Sequence, residues 1–278
     1  MTAHPPGPAA SGAGDLTFIG NATVLLRLGP FTVLTDPNFL HAGQRAYLGY
    51  GLFSKRLRDP ALDVSQLPSL DLVLLSHLHG DHWDRVAERG LDHGLPVVTT
   101  PAAARTLQRR GFGRSEGLST WESWETTSGA DLLRVISLPG RHAPVGLDRL
   151  LPPVMGSLVQ LERAGERLVD LYISGDTLNV PELQEVRRRY DAPDLAVVHL
   201  GGTRLLRAVM VTMDGRQGAD LMQTIDAPTV VPVHTDDYTV FTSPLADFER
   251  EMARAGLSQR LQVVERGKTL PLRARSAG

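Results

Sequence analysis

Residues 74–84 read LLSHLHGDHWD, which places three histidines and two aspartates directly behind an apolar run. His77 and His79 are two apart, so in an extended or turning segment both imidazoles can reach one point. Asp81 and His82 follow and can reach a second point nearby. Neutral imidazole and carboxylate are the ligands that borderline divalent ions take when thiolate is lacking. The chain has no cysteine, so any metal must be held by His and carboxylate, and disulfides and a cysteine nucleophile are excluded. Crowding so many ionisable groups at one place is costly without a cation to balance them. The spacing suits two adjacent metals.

Three more residues occupy equivalent places. His142 follows the apolar run 131–138, Asp176 follows 168–174 in YISGDT, and His234 closes the run at 229–233 in VVPVHTDD. Each falls just past the carboxyl end of an expected strand, where α/β folds place ligand-binding groups.

The elements that must position these residues are legible as short runs. LTFIG, ATVLLRLG and FTVLTD, separated by Gly-Asn and Gly-Pro turns, read as an antiparallel meander. LDLVLLS at 70–76 is a continuous apolar run of the kind a strand buried on both faces shows. PVVTT precedes a helix with Thr100 as N-cap, Pro101 at its first position and Gly111 at its stop. Three more strands are predicted at 131–138, 157–163 and 168–174, with AGE as the turn between the last two. The chain then alternates: helix at PELQEVRRRY, strand DLAVVHL, helix at GRQGADLMQTI, strand TVVPVH, helix SPLADFEREMARAG capped by Ser243, and strand LQVVE. Strands lead and helices follow in both halves, with no linker between them. The expected architecture is α/β, a four-layer αββα sandwich of two mixed sheets with outer helices. Residues 15–278 are expected to form one such domain behind a disordered arm at 1–14.

The formal charge is −2 over 278 residues, with Lys only at 55 and 268. Nothing there argues for a nucleic-acid or anionic-membrane partner. No signal peptide or membrane span is read, and a cytoplasmic protein acting on a small molecule is expected, with homo-oligomerisation left open. A serine hydrolase is disfavoured because no G-x-S-x-G occurs.

HLHGDH at 77–82, His142, the GDT at 175–177 and His234 resemble, in order and approximate spacing, the five motifs of the metallo-β-lactamase superfamily. The flanks GNATVLLRLGPFTVLTDP, LPSLDLVLLSHLHGDHWD and VMGSLVQLE resemble the branch holding bacterial ascorbate-6-phosphate lactonase and N-acyl-phosphatidylethanolamine phospholipase D. The likeness spans residues 15–272. It implies one metal on His77, His79 and His142, a second on Asp81, His82 and His234, and Asp176 bridging them. The implied cofactors are two divalent ions, zinc first, with manganese and iron as alternatives. The implied activity is hydrolysis of an ester, lactone or phosphodiester of a small molecule by metal-activated hydroxide, with Asp81, His82 and Asp176 as catalytic residues. An iron-dependent redox enzyme on the same fold is the rival. Asp36, in TDP, is either a support for the ligands or a turn residue. His199 stands where the branch often has proline; a satisfied core histidine is favoured over a substrate contact. Asp214 is read as a helix cap before a ligand partner. His199, Tyr238 and metal-bound water are the options for the general acid, and Trp83, Trp121 and Trp124 are read as packing residues. The substrate-choosing loops 38–66, 114–130, 143–153 and 203–213 are the least legible.

Overall fold

The computed structural model describes residues 12–49, 51–147, 151–205 and 208–275. In chain order the elements are β1 (Gly14–Gly20), β2 (Thr23–Leu28), β3 (Phe31–Thr35), β4 (Arg45–Tyr47), β5 (Phe53–Lys55), β6 (Leu72–Leu74), α1 (Arg85–Gly90), β7 (Val97–Thr99), α2 (Pro101–Arg109), β8 (Ser115–Gly117), β9 (Ser123–Ser128), β10 (Asp131–Leu138), β11 (Gly156–Arg163), β12 (Glu166–Ile173), α3 (Gln184–Arg189), β13 (Leu195–His199), β14 (Arg204–Leu205), β15 (Val209–Met210), α4 (Gly215–Ile225), β16 (Val230–Val233), α5 (Leu245–Arg254) and β17 (Thr269–Leu272).

Two large mixed sheets result. The first has the order β17-β1-β2-β3-β6-β7-β8 and the second β16-β13-β12-β11-β10-β9. Alternate residues of β1 to β3 (Leu16, Val24, Leu26, Val33) meet alternate residues of β10 to β13 (Val135, Val159, Leu171, Val197) in a core between the sheets. The opposite residues of the first sheet (Leu25, Leu34, Val73, Val97) pack under α1 and α2 through Ala87 and Leu107. Those of the second (Leu158, Tyr172, Ala196, Val198) pack under α4 and α5 through Met222 and Phe248. Burial of both sheet faces thus gives the four-layer αββα arrangement expected of the strand and helix order.

Local chemistry accounts for several boundaries. The Thr100 hydroxyl accepts from the Ala103 amide and Pro101 opens α2, which satisfies one amide that lacks an intrahelical partner. Ala164 and Gly165, at φ 51° and 85°, close the two-residue turn between β11 and β12, the conformation that matches strand twist in a tight hairpin. β9, SWETTS, has no fully buried residue and forms a polar edge that discourages pairing with another chain.

Four expectations need correction. LQVVE is not a strand: Leu261 makes one isolated bridge to Val230, then the chain turns inward to bury Val264 between the sheets and forms β17 instead. Ser243 does not cap α5, which starts at Leu245 after Pro244. Its hydroxyl accepts from the Gly215 amide at 3.0 Å and donates to Asp247 at 3.2 Å, tying α5 to the start of α4. Loop 38–66 holds the β4–β5 hairpin and loop 114–130 holds β8 and β9. The expected N-terminal arm falls largely outside the described residues, but Gly14 already pairs in β1 and Ala13 is buried. No helix among the described residues is long and apolar enough to cross a membrane.

Candidate metal centre

β3, β6, β10, β12, β13 and β16 all point their carboxyl ends toward one edge of the sandwich, because β3 and β6, like β12, β13 and β16, run parallel. Asp36, His77, His142, Asp176, His199 and His234 leave from those ends. The structure gathers the first ligand set, His77, His79 and His142, with donor atoms within 4.8 Å of one another, and does the same for a second set, Asp81, His82 and His234. Asp176 links them: its carboxylate groups with His77 of the first set and His82 of the second, donor atoms again within 4.8 Å of one another, and its Oδ2 lies 3.3 Å from His82 Nε2.

Hydrogen bonds behind the rings decide which nitrogens face inward. His142 Nδ1 donates to the Val211 carbonyl at 2.7 Å, and His234 Nδ1 to the Leu200 carbonyl at 3.0 Å. Ser76 Oγ donates to Asp36 Oδ1 at 2.9 Å and so accepts from His77 Nδ1 at 3.0 Å. Asp36 Oδ2 holds His82 Nδ1 at 3.3 Å. Each of these four rings therefore turns its Nε2 toward the cluster, the orientation that second partners give metal-binding histidines. The Nε2 atoms of His77 and His142 both face His79 Nδ1, at 2.9 and 3.2 Å. One proton cannot serve both contacts well, whereas one cation serves all three lone pairs.

The second set carries the same sign. Nine buried side-chain polar atoms among the described residues lack a hydrogen-bond partner, and four of them are Asp81 Oδ1, His82 Nε2, Asp176 Oδ1 and His234 Nε2. Orphans at that density in one place mark an ion site. The residues present fit a pair of divalent cations.

Electrostatics differ between the sets. Burial pushes His77 well below its ordinary value, with help from His82, and burial takes His79 down to about 3. His142 is lowered by burial as well. In the second set burial would also lower the imidazoles, but Asp176, Asp36 and Asp81 lift His82 well above the usual range, and Asp176 and Asp81 raise His234. Burial opposes ionisation of Asp81 and Asp176, yet the facing imidazoliums of His82 and His234 outweigh it and hold both carboxyls down.

Three of the six non-glycine residues with positive φ among the described residues lie here: Asn21 at 54°, Asp36 at 37° and His234 at 63°. Such conformations are uncommon and persist where surrounding contacts enforce them. Asn21 shows how. Its carbonyl accepts from the His234 amide at 2.8 Å and its side chain donates to the Asp81 carbonyl at 2.7 Å, joining two ligands of one set.

The remaining candidates are placed elsewhere. His199 is fully buried behind Asp36, with Nε2 3.2 Å from Asp36 Oδ2 and Nδ1 3.3 Å from Ser174 Oγ, and does not line the cavity above the ligands. Asp214 caps α4, accepting from the Gln217 amide at 2.9 Å. Tyr238 is buried and its hydroxyl donates to Asn38 Oδ1 at 2.9 Å. Trp83 packs edge-on against Phe112, and Trp121 lies under Arg189, at 4.4 Å from guanidinium carbon to ring centroid. Sequence reasoning missed Ser76, Asn21 and Thr212, whose hydroxyl donates to Asp176 Oδ2 at 3.1 Å. Ser76 adjoins the histidine motif and was the one with a signal.

A model of the beta-lactamase superfamily domain matches residues 32–235, a span that holds all seven ligand candidates. The chain belongs to the metallo-β-lactamase superfamily. Within that superfamily it is 25% identical to a UPF0173 metal-dependent hydrolase of Halobacterium salinarum over 93% of this chain and 98% of the relative. The isothiocyanate hydrolase from Delia radicum gut bacteria superposes with a TM-score of 0.76 at 22% identity, covering 92% of this chain and 98% of the other. CmlA, a diiron β-hydroxylase from Streptomyces venezuelae, superposes at 0.68 and 18% identity, over 96% of this chain and 55% of its own. At these identities the two structures bear on the superfamily fold alone.

Proposed function

We propose that this protein is a metal-dependent hydrolase with a dinuclear centre, acting on an ester, lactone or phosphodiester bond of a small molecule. The observation that carries the reading is the pair of three-donor sets joined by the His77, His82 and Asp176 group, with four buried polar atoms of Asp81, His82, His234 and Asp176 lacking a hydrogen-bond partner. Hydrolase is also the name its full-length relative bears. His77, His79 and His142 would hold one cation, Asp81, His82 and His234 the other, and Asp176 would touch both. Bound there, two divalent cations supply hydroxide at neutral pH and polarise the carbonyl or phosphoryl oxygen under attack.

The chain's own residues do the rest. Asp36 accepts from His82 Nδ1 and fixes its ring. Thr212 holds one oxygen of Asp176, so the carboxylate cannot swing out of the shared position. The cavity above admits a small molecule. Zinc is the first choice for so mixed a donor set, and manganese or iron bind the same ligands.

Elemental analysis of protein purified without chelators, alongside His79→Ala and Asp176→Ala, tests the reading. Near two equivalents of zinc or manganese in the parent, reduced in both variants, with ester hydrolysis that tracks metal content, is the expected result. One equivalent of iron with oxygen-dependent chemistry would replace it by the redox reading, for which the diiron neighbour supplies only a shared fold.

A further inference from the structure

The ligand cluster floors a cavity of about 220 Å³ whose walls have a different character. Leu48, Leu52 and Phe53, at the β4–β5 turn, form one side; Leu151, Leu205 and Val211 form another. Apart from the ligands, Arg204 is the one charged side chain among the described lining residues, and its guanidinium leans 3.5 Å from the Ala208 carbonyl. Phe53 is 61% exposed and Leu52 39%. Large apolar side chains left in water beside a reactive cleft contribute little to the core and are the usual mark of a ligand-contacting surface.

Resting on the hydrolase reading, we infer that the cavity selects substrates whose group beside the scissile bond is a short, uncharged, apolar chain or ring, and that Leu52 and Phe53 set this preference. The wall is fixed to the chemistry. The Gly80 amide donates to the Tyr47 carbonyl at 3.0 Å, and a Cβ at Gly80 would stand 2.6 Å from that oxygen. Glycine between His79 and Asp81 therefore lets the hairpin dock directly on the ligand loop. The volume is below the ~300–1,000 Å³ usual for drug-sized ligands, which limits the apolar group to a few carbons. A second cleft of about 500 Å³ shares His79 and Phe53 but carries Arg45, Arg85 and Arg89. A substrate with an anionic tail would use that cleft instead.

The test is calorimetric binding of straight-chain hydroxamic acids, acetyl to octanoyl, and of a hexanoyl hydroxamate ending in a carboxylate, to the full chain loaded with zinc. Affinity is expected to rise about threefold to fourfold per methylene and to level off once the chain outgrows the cavity. Phe53→Asp and Leu52→Asp should each lower the hexanoyl-to-acetyl affinity ratio about tenfold. Leu57→Asp, at an exposed apolar residue outside the cavity, should keep the parent ratio. A flat series, an unchanged ratio in the two wall variants, tighter binding of the carboxylate-ended compound, or no binding at any chain length would each overturn the inference. Metal content and ester hydrolysis of the same preparation judge the hydrolase reading separately: a preparation that holds metal and cleaves esters while the series stays flat refutes the cavity preference alone.

Discussion

The two ligand sets meet at Asp176 but are held by different physics. The first is three imidazoles that burial keeps neutral, His79 lowest at about 3. Two of its rings are oriented by a serine hydroxyl and a backbone carbonyl, and His79 only by the others. The second is a network of imidazoliums and carboxylates, in which His82 and His234 are raised and Asp81 and Asp176 lowered. It is braced from behind by Asp36, Asn21 and the Leu200 carbonyl. A neutral cluster is ready for a cation but has nothing to hold it together without one. A charged cluster is held in part by its own ion pairs and must give up protons to bind.

The largest effect should come from removing the group the sets share. Asp176→Ala is expected to lower metal content at both sets and to cost more activity than the ~10–100-fold typical of a residue one contact removed from the metal. Elemental analysis and steady-state rates read both. If the variant kept two tightly held ions, the two sets would be independent and the comparison would fail.

Asp36→Ala should separate them. It touches His82 but no ring of the first set except through Ser76, so affinity at one site should fall roughly 10–100-fold while the other changes by a few fold. Titration with a competing chelator resolves the two constants.

The pH dependence sharpens the contrast further. Metal binding needs neutral imidazole. Above the ordinary histidine value of 6.5 the first set is already neutral, so its affinity should be flat. At the second set affinity should climb as pH rises from 6.5 through the raised values of His82 and His234, and calorimetry in buffers of different ionisation enthalpy should show protons released at one binding step. In the metal-free protein the same shift acts in reverse: the raised histidines contribute stability that is complete below 6.5 and is lost as pH rises through their folded values.

The smallest effect is a control. Asp214→Ala removes the α4 cap and touches neither set, so it should cost about 1 kcal/mol of stability, read by thermal unfolding, with metal content and rates unchanged.

What the sequence disclosed follows this division. His77, His79, Asp81 and His82 sit within six residues behind a run of apolar residues, so motif and position were visible together. His142, Asp176 and His234 could be placed because each follows a strand whose buried carboxyl-terminal part is rich in apolar residues. The walls were opaque. β4 and β14 are three and two residues long, too short for any periodicity, and exist through tertiary docking such as that of Tyr47 on Gly80. LQVVE misled for the converse reason, since its apolar residues serve an inward crossing and not a ladder. Asn21 gave no warning because its role rests on a left-handed backbone and contacts 60 and 213 residues away.

β1 pairs with β17 across the whole chain, Gly14 opposite Leu272 and Thr17 opposite Thr269. During synthesis at about 5–20 residues per second, the outer edge of β1 waits on the order of 10–50 s for its last neighbour, which begins 35 residues after His234. In roughly the last 2–7 s of that wait, at the same rate, every metal donor exists while the first sheet still shows an open edge, the kind of surface on which neighbouring nascent chains pair.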